Sequence, residues 1–368
     1  MTVAPGRGSS GGSRLEARIL SESDFPAWRE FVDHAPAGSI YSYPEYLEAL
    51  CEAVGGDFRI LAVFKGDEIV GGIGLYETRP GGFRVLGNRL LLYYNGLVVK
   101  EYSSKYPSEN TSRHVAILGM VADTLATRGY HKAVLHNRHP VQDVRPFLAR
   151  GWKGSQNYSY ILRFEDPEGA FLRIEKNQRR LIKRCQDYGI SLTRDDDFPS
   201  FYGMHRETSQ RKGIPVYMPE VRFERFFSRL ASQDLARLYH ARLGTGQSVA
   251  SQLVLLSGHP ITHTVTAAAD EDYLSQGTNP FLRWKTCEAL AAEGFVGNDL
   301  TDAALNPVTR FKSQLGGMLV ANQVLSTRGT LPFRVHRKGL QTLRRTRGLA
   351  RAALRRLGLP RLKGRKDA

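Results

Sequence analysis

The sequence repeats one order of motifs, and this internal duplication limits the folds that the chain can adopt. "RILAVFKGDEIVGGIGLYET" (Arg59–Thr78) and "RLYHARLGTGQSVASQLVLLS" (Arg237–Ser257) each predict a strand, a glycine-containing turn and a second strand. Downstream of each lies a helical pattern that ends at a glycine, Gly129 or Gly294, before a short strand. The hairpins lie about 180 residues apart and the helical units about 165 apart. A short segment then follows each strand, at Arg145 and at Val308, and three units in the same order predict a duplicated α/β domain.

Length and composition agree with a protein of two domains. The chain has 368 residues, more than one hydrophobic core usually serves. With 41% hydrophobic and 24% charged residues, the composition is typical of a globular protein, and no apolar run is long enough to span a membrane. The three cysteines, Cys51, Cys185 and Cys287, lie far apart. They predict neither a disulfide framework nor a zinc site, and they favour a reducing cytoplasm.

The positive charge is concentrated at the end of the chain. Of the net charge of +16, the segment Leu331–Ala368 carries +12, from 13 Lys or Arg and one acidic residue, which leaves +4 for the other 330 residues. Leucines recur at near-helical spacing among these arginines. The pattern predicts a basic amphipathic helix for an anionic lipid surface or RNA. The alternative is a disordered solubilising tail, because three glycines interrupt the pattern.

Five further segments carry specific residue patterns: YSYPEYLEAL (Tyr41–Leu50), LLYYNGLVV (Leu91–Val99), FLRIEKNQRRLIKRCQDYGISL (Phe171–Leu192), TSQRKGIPVYMPEVRFERFF (Thr208–Phe227) and TRFKSQLGG (Thr309–Gly317). Together with the repeated units, they resemble the GNAT acyltransferase superfamily. The closer resemblance is to its doubled members, the FemAB-like peptidyltransferases and the BioF2-like acetyltransferase domains. The last segment is similar to the family's Arg-Phe-Lys…Gly-Gly ending.

The resemblance implies an α/β (α+β) fold of two tandem GNAT-like acyltransferase domains, with mixed, mostly antiparallel sheets flanked by helices. Donor and acceptor would meet in a cleft near the junction of the domains. The expected organisation is a disordered leader, two domains, a strand that returns to the first domain, and a basic tail, at residues 1–14, 15–166, 167–321, 322–335 and 336–368.

The implied activity is that of an N-acyltransferase. An acyl or aminoacyl group would pass from acyl-CoA or aminoacyl-tRNA to an amine of a cell-envelope or related conjugate precursor, either a small molecule or lipid-linked, without a metal. The expected location is the cytoplasm, with the tail as a peripheral contact to anionic membrane. Against an acyl-CoA donor, the pyrophosphate-binding Arg/Gln-x-x-Gly-x-Gly/Ala loop is absent, since the nearest string, Arg84–Arg89, precedes an apolar strand. The alternative is a non-catalytic RNA- or membrane-surface-binding protein that keeps the fold.

Three residues are candidates for catalysis. Lys312 stands where the family has a lysine thought to stabilise charge during transfer, and the first copy has a leucine near this place, so the fold alone does not demand a cation. We expect Lys312→Met to lower turnover and to leave the fold intact. His263 lies in a strand-like segment and could accept a proton, and Asp299 ends a strand, where active-site residues often lie. The alternatives are a solvated lysine, a core histidine and a loop-capping aspartate.

Five residues are candidates for substrate binding. Arg180 and Lys183 lie at helical spacing on one basic face, which suits the phosphates of tRNA or of a nucleotide-linked precursor. Arg211 and Lys212 could extend this track. Asn95 precedes a glycine at the end of an apolar strand pattern. The alternatives are a solvated charged face and a simple turn residue.

The tail generates the first prediction. Deleting residues 336–368 should weaken binding to anionic vesicles or RNA, because these residues hold most of the net charge. The loss should be smaller at high salt, where exposed charges are screened. Co-sedimentation of the full and truncated chains at low and high salt measures the effect. Equal binding at low salt would show that the tail serves only solubility.

Overall fold

One continuous sheet joins the two copies of the repeat in the computed structural model, which describes residues 14–305 and 307–342. The leader and residues 343–368 lie outside the described residues, and with them most of the basic tail. The strands are β1 (Leu15–Ile19), β2 (Asp57–Lys65), β3 (Glu68–Thr78), β4 (Val85–Leu86), β5 (Leu97–Val99), β6 (Lys132–His136), β7 (Lys153–Arg163), β8 (Ser191–Arg194), β9 (Ala236–Arg242), β10 (Ser248–Leu255), β11 (Ile261–Ala269), β12 (Gly297–Asp302) and β13 (Met318–Ser326).

Helices connect and cover these strands. They are α1 (Phe25–His34), α2 (Pro44–Val54), α3 (Pro107–Thr127), α4 (Arg145–Leu148), α5 (Pro167–Arg173), α6 (Lys176–Asp187), α7 (Phe198–Arg211), α8 (Glu220–Ala231), α9 (Thr278–Ala292) and α10 (Pro307–Gln314). The helices α3 and α9 end before Gly129 and Gly294, both with positive φ, as the sequence predicts for left-handed helix ends.

The order of strands shows the duplication. Across the sheet the order is β1-β2-β3-β4-β6-β13-β7-β12-β11-β10-β9-β8, with β5 beside β3. Read inward from its two edges, each half presents an edge strand (β1 or β8), a hairpin (β2 with β3 or β9 with β10) and a short parallel pairing (β4 with β6 or β11 with β12). The other pairings are antiparallel. The predicted fold class, two tandem GNAT-like units with mixed, mostly antiparallel strands, is confirmed.

The two halves exchange their last strands. The strand β13, from the second half, lies between β6 and β7, and β7, from the first half, pairs with β12. We expected a returning strand at residues 322–335, but β13 begins at Met318 and ends at Ser326. The boundary predicted between residues 166 and 167 falls in the connection from β7 to α5, so dividing the chain by sequence separates strands that pair.

The pairing of β7 with β13 lies on a pseudo-two-fold axis. Asn157 and Asn322 are register partners across the two strands. The same offset of about 165 residues that relates the repeated helical units also relates these asparagines. At this one register pair, equivalent residues of the two halves therefore lie opposite each other at the centre of the sheet.

A shared core also joins the halves. The ring centroids of Tyr46 on α2 and Phe226 on α8 are 5.7 Å apart, and both side chains belong to one cluster of buried residues. That cluster includes Trp28 from the first half and Leu253 and Val265 from the second. Each half also has a second apolar cluster, which includes residues from the strand or chain segment that the other half contributes, Leu162 and Phe164 in one and Leu325 in the other. Burial of apolar surface therefore stabilises both the halves and their junction.

The chain after β13 turns into a helix that packs on the first half. Residues 331–342 are helical, where the prediction had a strand to 335 followed by a basic tail with a helical pattern. The ring of Phe83 lies 5.7 Å from that of Phe333 and 5.1 Å from that of His336. A truncation meant to test the tail alone should therefore begin after residue 342.

The exchanged strand generates the second prediction. A chain that ends at residue 317 lacks β13 and leaves the edges of β6 and β7 unpaired, so it should aggregate or unfold well below the wild-type melting temperature. A chain that ends at residue 342 keeps β13 and the packed helix and should melt like the wild type. Thermal unfolding and size-exclusion chromatography of both truncations measure this. A 317-residue chain that melts like the 342-residue chain would show that the exchange is dispensable.

Candidate functional site

A cavity of about 310 Å³ opens where the two halves meet. We call it the seam cavity, since residues from both halves line it: Asn88, Arg89, Leu90, Leu91, Leu92, Tyr93, Tyr94, His136, Asn157, Tyr158, Tyr217, Asp302 and Asn322. The end of β12, the centre of β7 and β13, and the loop before β5 all reach this place. A concave site with polar groups at a domain junction is the usual setting of a ligand site.

Buried polar side chains lie behind one wall of the seam cavity. The hydroxyl of Tyr94 donates a hydrogen bond of 2.8 Å to Oδ2 of Asp299, and Nδ1 of His263 lies 3.8 Å from the same oxygen. The ring of Tyr41 packs edge-on against His263 at 4.9 Å between centroids. The sequence predicted His263 and Asp299 as candidates, and the structure brings them together. Both are fully buried, so neither contacts solvent directly.

Burial dominates the charge states of this cluster. It raises the pKa of Asp299, although Arg138, Tyr94 and the Thr301 amide act in the opposite direction. Burial, together with the charge of Arg138, holds the pKa of His263 well below its usual value. His263 is therefore neutral at neutral pH, and neither of its ring nitrogens has a hydrogen-bond partner. Burial lowers the pKa of Arg138 as well, and its guanidinium donates to the carbonyl of Gly38.

Lys312 caps the end of β12. Its ammonium group donates to the carbonyl oxygens of Leu300 at 2.7 Å and Thr301 at 3.0 Å, and also to that of Asp302. Thr301 has a φ of +52°, in the left-handed region, and the pairing of β12 with β7 shifts register here. The carbonyls of this bent strand end converge on one cation, so three donors of the lysine are engaged by the backbone. Lys312 does not line the seam cavity.

The environment of Lys312 disfavours its charge. The side chain is 9% exposed. Burial and the neighbouring Arg283 lower the pKa of Lys312 to about 8, while Asp302 and Asp299 act in the opposite direction. A lysine is tolerated in the interior here because all three N–H donors of its ammonium group are hydrogen-bonded. We expected Lys312→Met to leave the fold intact, and these contacts predict a loss of stability instead.

Asn95 connects two strands of the first half. Its Nδ2 donates to the carbonyl of Val134, its Oδ1 accepts from the amide of His136, and both bonds measure 2.9 Å. The side chain is buried with both polar atoms satisfied. Of the two readings of Asn95, the structure supports a local structural role, and the residue fixes the loop that carries Tyr93 and Tyr94.

The four basic candidates lie away from the seam cavity. Arg180 and Lys183 are exposed on α6, and Arg211 and Lys212 are exposed at the end of α7. The segment Glu271–Gln276 lies between these helices: Arg211 pairs with Glu271 at 3.2 Å, and Arg184 of α6 donates to Ser275.

A feature that the sequence analysis missed lies at the start of α9. Gly277, with a φ of +88°, precedes the helix, and a Cβ atom there would meet the carbonyl of Leu181 on α6 at 2.5 Å. A helix start beside a basic helix is the setting in which phosphates bind. The string Arg84–Arg89, which matches the phosphate-loop motif only in part, contains β4 and starts no helix.

Arg138, Asn157 and Asn322 were also missed. The signal available for the asparagines was their common offset with the repeated units, and Arg138 gave none. In the described part of the chain, no group of three His, Cys, Asp or Glu could hold a metal ion. No helix among the described residues is long and apolar enough to cross a membrane.

Comparison with known proteins agrees with this architecture. Residues 173–313 match the family model described as an acetyltransferase (GNAT) domain. The structure of FemX, 12% identical, superposes with a TM-score of 0.68 over 84% of this chain and 96% of that one. L-PGS from Bacillus licheniformis, 12% identical, gives 0.52 over 80% and 95%. A conserved protein of unknown function from Bacteroides thetaiotaomicron, 9% identical, gives 0.57 over 85% and 99%. A search of the curated proteins gives no match.

The fold and the matched domain define the class: this is a GNAT-fold protein built from two tandem acyltransferase-like units. Within that class, its Arg-Phe-Lys…Gly-Gly segment resembles the ending of the FemAB-like proteins, and its fold is similar to that of FemX. The class supports acyl or aminoacyl transfer in general. At these identities the similarity to solved structures concerns the fold.

The cap on β12 generates the third prediction. Lys312→Met should lower the melting temperature, because it leaves three carbonyls without their donor at about 1–3 kcal/mol for each unpaired group. The folded lysine loses its proton near pH 8 and the unfolded one near 10.5, so between these values the unfolded state binds more protons. Stability from this group therefore rises with pH.

The difference in melting temperature between wild type and Lys312→Met should thus widen from pH 7 to pH 9.5. Thermal melting in the two buffers measures it, with the exposed Lys176→Met as the matched control. If Lys312→Met melts like the wild type at both pH values, the cap on β12 does not contribute to stability.

Proposed function

We propose that the chain is an N-acyltransferase, which moves an acyl or aminoacyl group from an activated donor to an amine of a cell-envelope or related conjugate precursor. The observation that carries the proposal is the seam cavity, enclosed by both halves of a GNAT-fold chain. Residues from the first half, such as Tyr94, and from the second half, such as Asp302, face the same space. Such a cavity can hold two substrates in contact, which is what a transfer reaction requires.

The reaction needs a route for one proton. The neutral amine nitrogen attacks the donor carbonyl and releases a proton. The bond from that carbon to sulfur or oxygen breaks, and the leaving atom keeps the electron pair and takes up a proton. Tyr94 lines the seam cavity and its hydroxyl is hydrogen-bonded to Asp299. In our proposal the proton passes along this bond to the buried carboxylate, whose raised pKa favours accepting it. His263 stays neutral beside it.

Lys312 acts in this proposal through the shape of the strand end. Its bonds to three carbonyls fix the bend at Thr301, and this bend sets the position of Asp302 at the seam cavity. Lys312 is then a positioning residue. It does not contact the reacting atoms, and its charge acts on the reaction only electrostatically, from a distance.

Two surface features bear on the donor. The exposed cations of α6, Arg180 and Lys183 among them, support aminoacyl-tRNA, because binding of nucleic acid rests on phosphate contacts. The start of α9 at Gly277 supports acyl-CoA, because helix N-termini bind phosphates. Both donors are cytoplasmic molecules, so we propose that the protein acts in the cytoplasm, at the inner face of the membrane where the acceptor is lipid-linked.

The test is transfer itself, and it gives the fourth prediction. Purified protein is supplied with a cell extract and with either labelled acetyl-CoA or labelled aminoacyl-tRNA, and mass spectrometry identifies labelled amides. We expect product with one donor class. Tyr94→Phe should lower the rate about a hundredfold, because it removes the hydrogen-bonded path to Asp299. The exposed Arg113→Ala serves as control and should keep full activity.

Absence of any labelled amide with both donors would contradict the assigned activity. Full activity of a folded Tyr94→Phe would contradict the proton route and leave the activity standing. Melting curves of each variant separate loss of folding from loss of chemistry.

A further inference from the structure

We infer that the seam cavity is the binding site of the acceptor, whose amine binds as an ammonium ion and donates to side-chain oxygens of Asn157, Asn322 and Asp302. The ammonium gives one proton to water at the exposed Asp302 before the neutral nitrogen attacks. This inference rests on the proposed function, because it names the substrate class for the same cavity. The argument starts from hydrogen-bonding capacity that the protein leaves unused.

Two amide oxygens that belong to lining residues have no partner. Asn322 is 1% exposed; its Nδ2 donates to Oγ of Ser159 at 3.2 Å, and its Oδ1 has no hydrogen-bond partner. The Nδ2 of Asn157 lies 3.2 Å from Nδ1 of His136, and its Oδ1 also has none. An unpaired buried acceptor costs about 1–3 kcal/mol, so such atoms usually receive a donor from a ligand or water.

The pairing of strands places these acceptors together. Asn157 and Asn322 are register partners on β7 and β13, and side chains of directly opposed residues on one face of a sheet are neighbours. Both line the seam cavity. A ligand that satisfies both needs two donors on one small group. A primary ammonium has three N–H donors and no acceptor, which matches this arrangement.

The charges around the cavity also suit a cation. Asp302 supplies a carboxylate, and burial lowers the pKa of His136, so its ring is neutral at neutral pH. Arg89 is the one cationic side chain among the lining residues; it is exposed at the mouth, where water and salt screen its charge. Lys312 donates to the backbone carbonyl of Asp302 and does not line the cavity. A cavity of about 310 Å³ can take a small amine or the aminoalkyl end of a larger acceptor.

The test uses n-butylammonium as the probe and n-butanol as its uncharged counterpart of similar size. Ligand-observed NMR titration of the full chain at pH 7 measures both affinities. We expect n-butylammonium to bind at least about tenfold more tightly than n-butanol, as hydrogen bonds to a charged group predict. Tetramethylammonium, which has the charge and no N–H, should bind no better than n-butanol.

Variants locate the site. Asp302→Asn and Asn322→Leu should each weaken n-butylammonium binding about tenfold, while the exposed Asn177→Ala on α6 should bind like the wild type. Asn157→Asp adds a carboxylate and should tighten binding, a gain that loss of folding cannot produce. Asp302 is exposed, so Asp302→Asn gives a result even if Asn322→Leu does not fold.

Equal affinity for n-butylammonium and n-butanol, or wild-type affinity in both Asp302→Asn and Asn157→Asp, would overturn the inference. The two proposals fail separately. Amine binding without transfer of an acyl group would support the amine site and contradict the proposed enzymatic activity. If the protein transfers an acyl group but these variants do not change its affinity for the amine, the proposed activity is supported and the acceptor binds elsewhere.

Discussion

The antiparallel pairing of β7 with β13 is the interaction on which the rest of the structure depends. It joins the two halves through backbone hydrogen bonds along nine register pairs, from Met318–Ile161 to Ser326–Lys153. It also sets Asn157 against Asn322 and leaves β12 as the next strand on one side. The seam cavity exists because this pairing brings the loop of Tyr94 and the end of β12 to the same point. A loss of the pairing would therefore remove the site as well as the sheet.

The end of β12 shows how a buried cation can serve local shape. In a straight strand the carbonyl oxygens would accept hydrogen bonds from the neighbouring strand. Thr301 has a positive φ, and this bend directs the carbonyls away from that strand. Lys312 collects them, and Asp299 accepts the amide of Thr301 at 2.7 Å. The bend thus has a donor on one side and an acceptor on the other. The lysine of the Arg-Phe-Lys segment accordingly has a role that precedes any contact with substrate.

The architecture could be predicted from the sequence because its signals are local. Glycines at turns and helix ends, such as Gly129 and Gly294, mark element boundaries, and their repetition at a fixed offset revealed the duplication. The closeness of His263 to Asp299 was not predicted; it results from the parallel pairing of β11 with β12, in which the two residues are register partners. The start of β13 was placed late because the segment Met318–Ser326 is only partly buried and lacks a clean alternation.

The remaining parts of the site depend on contacts between distant elements. The role of Asn157 is defined by the strand opposite it, and that of Lys312 by carbonyl directions at Thr301, neither of which a sequence pattern records. The string Arg84–Arg89 matches the phosphate-loop motif only in part, and the helix that starts after Gly277 does so without that motif. For basic residues such as Arg180, the sequence left two interpretations, a solvated charged face or a track that binds phosphates. Both require an exposed side chain, so exposure alone does not distinguish them.

The exchange of strands also has a consequence for synthesis on the ribosome. The strand β6 ends at His136, and the strand that covers its free edge begins at Met318, about 180 residues later. At about 5–20 residues per second, that edge waits on the order of ten seconds or more for its partner. During this interval the nascent first half presents unpaired backbone groups to other chains. The order of translation thus makes early chaperone binding an advantage for this fold, and slow codons between the two strands a hazard.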